Sequence, residues 1–95
     1  RGPPKIRAVW RTYRDRKGWY AVEGSHRIAA ACRLAITPII VPIKLDDEIK
    51  HDVSCINTDF VRDIIRAFDA GWRSSRYDYW LEYRFPKLRG PRGGL

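Results

Sequence analysis

Trp19-Tyr20-Ala21-Val22-Glu23-Gly24-Ser25-His26-Arg27-Ile28-Ala29-Ala30-Ala31 decides the reading of this chain. Its first four residues are aromatic, small or β-branched and read as a strand. Gly24 and Ser25 break that run, and an Ala-rich apolar run follows to Ala35. The order is strand, tight turn, helix. Ser25 is the expected N-cap of a helix over 26–35, because its hydroxyl oxygen can accept a first-turn N–H. The first N–H groups of a helix lack intrahelical partners and point outward. Glu23–Arg27 therefore reads as an anion site: backbone N–H groups at Gly24 and Ser25, with His26 and Arg27 as side-chain donors. The plain alternative is a cap with no ligand, in which Glu23 pairs with Arg27 or Arg33.

Upstream, Ile6 to Tyr13 is rich in β-branched and aromatic residues with partial alternation, and Asp15-Arg16-Lys17-Gly18 reads as a turn with Gly18 at positive φ. Residues 6–23 then form a β-hairpin, packed by Trp10, Trp19 and Tyr20 across the strands. Downstream, Thr37-Pro38 ends the helix, since a residue before Pro avoids the helical region. Ile39 to Leu45 is an apolar strand, and its Pro42 calls for a sheet edge or a bulge. Asp46-Asp47-Glu48 opens a polar connection through Cys55. It reads as a solvated acidic turn, with metal binding the sharper alternative. Asn57-Thr58-Asp59 offers N-caps to a helix over 59–70, where Phe60, Val61, Ile64, Ile65 and Phe68 share one face. Gly71 is its C′ residue. Tyr77, Tyr79, Leu81, Tyr83 and Phe85 return to period two and read as a strand or extended arm. Pro86 to Leu95 is Gly-, Pro- and Arg-rich and reads as disordered. The expectation is one α+β domain over 1–85, with a β-β-α-β core and an added C-terminal helix and strand. A basic tail over 86–95 follows.

The segment Glu-Gly-Ser-His-Arg-Ile-Ala-Ala-Ala, then Leu34, then Thr37-Pro38-Ile39-Ile40-Val41, resembles the core of the ParB/sulfiredoxin-like superfamily, which includes the ParB-like nuclease domain. The likeness spans about residues 19–45. It implies a turn that holds the phosphates of ATP, ADP or CTP, with Gly24 allowing close backbone approach. Ser25, His26 and Arg27 would contact the phosphate oxygens, and Glu23 would position Mg²⁺ or act as a base beside His26. Ser25 stands where sulfiredoxins carry their reactive Cys, so sulfinic acid reduction is not expected. His26 stands where ParB proteins carry a second Arg. The superfamily also sets a further strand and helix before the hairpin, where this chain has Arg1–Lys5.

Charge supports an anionic partner. The net charge is +8 over 95 residues, and residues 1–17 hold seven Lys/Arg against one Asp. Residues 84–95 hold four Lys/Arg and no acid. Arg7, Arg11, Arg14, Arg16 and Lys17, with Arg84 and Lys87, are the candidate nucleic-acid contacts, and nearby aromatics would stack on bases. The plain alternative is a solvated basic surface over core aromatics. No apolar run approaches the roughly 18 residues that would span a membrane, and a cytoplasmic location is expected. Cys32 and Cys55 have no metal-ligand spacing, no metal site is expected, and Cys32 reads as a small buried residue. Three functions stay open. One is a DNA-associated module binding nucleotide or nucleic-acid phosphate. Another is a phosphoryl-transfer enzyme or nuclease using Glu23 or His26. The third is a protein–protein adaptor, or a homodimer, using the Tyr-rich segment.

Overall fold

The computed structural model describes residues 2–48, 60–71 and 80–91. Strands β1 (Lys5–Tyr13), β2 (Arg16–Ala21) and β3 (Ile39–Pro42) form one sheet in the order β2-β1-β3. Helix α1 (Ser25–Arg33) lies between β2 and β3 in the chain, and α2 (Val61–Asp69) and α3 (Leu81–Arg84) follow. The architecture is α+β with a mixed sheet: β1 runs antiparallel to β2 and parallel to β3. β3 is an edge strand, which accommodates Pro42 opposite Ala8.

Alternation along β1 and β2 sorts the core into two faces. Ile6, Ala8, Trp19 and Ala21 pack with Ile28 and Ala31 of α1 and with Leu81 and Phe85. Val9 and Val22 face the other way and pack against Val61 and Ile64 of α2. Trp10 and Trp19 are directly opposite in the ladder, with an edge-on contact at 5.2 Å between ring centroids.

Several local expectations are corrected. The hairpin turns on Arg14 and Asp15, at φ 50° and 65°, and not on residues 15–18. Two consecutive positive φ values match the right-handed twist of the flanking strands. Gly18 lies inside β2, where a Cβ would come within 2.3 Å of Trp80 Nε1 and 2.7 Å of Glu82 Oε2. Its missing side chain makes room for the indole. The N-cap of α1 is Gly24 and not Ser25, at φ 95° and ψ 31°, with no side-chain cap. Cys32 is exposed.

The expected strand through Leu81–Phe85 is instead the one-turn helix α3. Tyr77 and Tyr79 lie outside the described residues, as do His51, Cys55 and Asn57–Asp59. Helix α2 is capped through backbone: Val61 and Arg62 donate their N–H groups to the carbonyls of Asp47 and Leu45. Asp47 accepts the Lys44 N–H at 2.8 Å, and Asp46 pairs with Arg62. Asp46–Glu48 thus docks α2 onto the end of β3. The Gly- and Pro-rich segment over 86–91 runs against the first core face, where Trp19 Nε1 donates to the Arg89 carbonyl at 2.7 Å. Among the described residues, no helix is long and apolar enough to cross a membrane.

Candidate functional site

Glu23 ends the β2 side of the turn with only 7% of its surface exposed. A carboxylate this deep needs charged partners. Its Oε2 accepts from Arg7 Nε at 3.1 Å, and its Oε1 accepts from Arg27 Nη2 at 2.5 Å. Arg27 Nη1 also donates to the Lys5 carbonyl at 3.0 Å. Arg27 therefore ties the start of α1 to the start of β1 and back to the turn. Both oxygens of Glu23 are engaged, which is the geometry of a structural clamp more than of a base awaiting a proton.

What remains available at the turn is smaller than the sequence suggested. Gly24 has the αL conformation that aims successive N–H groups outward. The first turn of α1 holds no acid, and His26 is exposed. A Cβ on Gly24 would meet Ile6 Cδ1 at 3.3 Å in a strained backbone conformation, so this position is built for glycine. Among the described residues, no group of three His, Cys, Asp or Glu side chains is placed to hold a metal ion.

The seven cations nominated for nucleic acid fall in three places. Arg7 is held by Glu23. Arg11 faces α2, where its Nη2 donates to both oxygens of Asp69 at 2.8 Å. The guanidinium also lies 5.3 Å from the Tyr13 ring centroid and 5.8 Å from that of Tyr20. These two residues are cross-links of the fold. Arg84 and Lys87 line an open groove of about 330 Å³ with Cys32, Ala35 and Thr37 at the end of α1.

Arg14, Arg16 and Lys17 form the third group, at and beside the hairpin tip. All three are exposed, and among the described residues none makes an ion pair. Arg14 lies 5.4 Å from the Tyr13 ring centroid, and Arg16 lies 5.2 Å from that of Trp80. Trp80 pairs antiparallel with Tyr20 at the free edge of β2. Its ring is near-parallel to Tyr20, with centroids 6.3 Å apart at 11°, and to Tyr83, 5.8 Å apart at 19°. The Tyr20 hydroxyl donates to the Arg16 carbonyl at 3.0 Å. Burial pushes the Glu82 carboxyl above its ordinary range. Period-two reading of residues 77–85 found Tyr83, but it did not place that ring in a stack on the hairpin.

No protein-family model matches this chain, and neither the curated proteins nor the solved structures provide a match.

Proposed function

We propose that this chain is a DNA-associated, ParB-like module that binds nucleic-acid phosphates. The observation that carries the reading is the sorting of its cations. Arg7, Arg11 and Arg27 are held by carboxylates within the fold. Arg14, Arg16 and Lys17 are exposed at and beside one hairpin turn and, among the described residues, have no carboxylate partner. Clustered cations on a basic domain attract a polyanion and release its counterions. The hairpin and not the Gly24–Arg27 turn is the principal contact, because Arg27 is already engaged by Glu23 and the Lys5 carbonyl.

Fluorescence anisotropy with labelled DNA and RNA oligonucleotides over a salt series tests this. Binding is expected to weaken steeply with salt. The triple variant Arg14→Ala/Arg16→Ala/Lys17→Ala should reduce the salt slope by about two to three. Its thermal unfolding should stay close to that of the parent. Absence of binding at low salt, or an unchanged slope in the triple variant, overturns the reading.

A further inference from the structure

An exposed aromatic ring needs a reason when it is already ordered. Tyr83 is 74% exposed, yet it stacks on Trp80, which stacks on Tyr20. Tyr20 itself is buried and fixed by its hydroxyl bond to the Arg16 carbonyl. Trp80 is held from below by the Gly18 backbone, with no space for even a methyl group between them. The array is therefore built upward from the sheet and ends in a ring open to solvent. Arg16, which is exposed, sits over Trp80 in the same array.

Two chemistries meet here. A flat aromatic face accepts any base by stacking, and an adjacent cation accepts the phosphate beside it. Duplex DNA offers its phosphates to the cations but keeps its bases stacked on each other. A single strand offers both. Resting on the phosphate-binding reading above, we infer that Tyr20, Trp80 and Tyr83 form a stacking platform for single-stranded nucleic acid. One unpaired base lies on the open face of Tyr83, and the flanking phosphate lies toward Arg16. The positive charge of the hairpin selects a polyanionic occupant over an apolar protein surface.

The test compares three labelled probes of equal length, about twelve nucleotides. These are a thymidine single strand, a duplex, and a single strand of abasic sugar-phosphate. The parent protein should bind the thymidine strand more tightly than the abasic one. Tyr83→Ala should weaken thymidine-strand binding by about tenfold and remove that preference. It should leave duplex binding and the salt slope unchanged. Tyr83→Phe should restore the parent affinity, since the ring and not the hydroxyl does the stacking. If thymidine and abasic strands bind equally, or Tyr83→Ala changes nothing, the platform is refuted while phosphate binding stands. If no probe binds, both readings fall.

Discussion

Glu23 shows how one residue can serve a fold while resembling a site. Its carboxylate is buried, and each oxygen accepts from a different arginine, Arg7 on β1 and Arg27 on α1. Removing it leaves two guanidiniums without their counter-charge. Both arginines are partly exposed, so water recovers some of the loss. Glu23→Ala should therefore cost about 2 kcal/mol, below the full penalty of breaking a buried pair. A shift in urea midpoint with an unchanged slope would report it. An unaltered midpoint would mean that the clamp contributes nothing. The pairing of Glu23 with Arg27 could be read from the sequence, since a strand-end carboxylate stands just before a helix whose first turn carries an arginine. Arg7 could not, because its place beside Glu23 depends on how β1 packs beside β2.

The elements were legible where a hydrophobic period was unambiguous. Alternation and the Pro42 signal located the hairpin and β3, and the 3.6-residue stripe located α2. The third helix departs from the period-two pattern for a physical reason. Leu81 and Phe85 are four residues apart, which places them on one face in a strand and in a helix alike. Both are buried, and the intervening Tyr83 turns outward, which only the helical alternative permits. The end of α1 gives a sharper case. Ile36 and Ala35 donate to the carbonyls of Ala31 and Cys32, the bonding of a Schellman motif, with Ala35 at φ 55°. That φ is uncomfortable for any residue with a Cβ. Ala35→Gly should stabilise the domain by about 0.5–1 kcal/mol, raising Tm by several degrees. A calorimetric scan showing a lower Tm would contradict the motif.

At the scale of the molecule, composition gives the sum of charge but not its distribution between fold and surface. Segment charges marked both ends of the chain as basic. Three-dimensional packing then divided them: Arg7 and Arg11 became cross-links, and the hairpin tip stayed open. The tail illustrates the same limit. Its Gly, Pro and Arg content describes a disordered chain, yet residues 86–91 close over the first core face. Leu88 packs against the core, Gly90 lies so near Trp10 that a Cβ would come within 2.8 Å, and Arg89 offers its carbonyl to Trp19. The acceptor is backbone, so no side-chain pattern announces it. Truncation after Phe85 would uncover two tryptophans and remove the partner of a part-buried indole N–H. Loss of the Leu88 burial and of that hydrogen bond should cost about 3 kcal/mol together. In a domain of this size that lowers Tm by roughly 12–24 °C. Truncation also removes cations, so Gly90→Val serves as the neutral counterpart: it presses on Trp10 and changes no charge. Both variants should lower Tm and shift tryptophan emission to longer wavelength, the truncation more. If the truncated chain keeps the parent Tm and emission, the tail is an appendage, and the core closes over Trp10 and Trp19 without it.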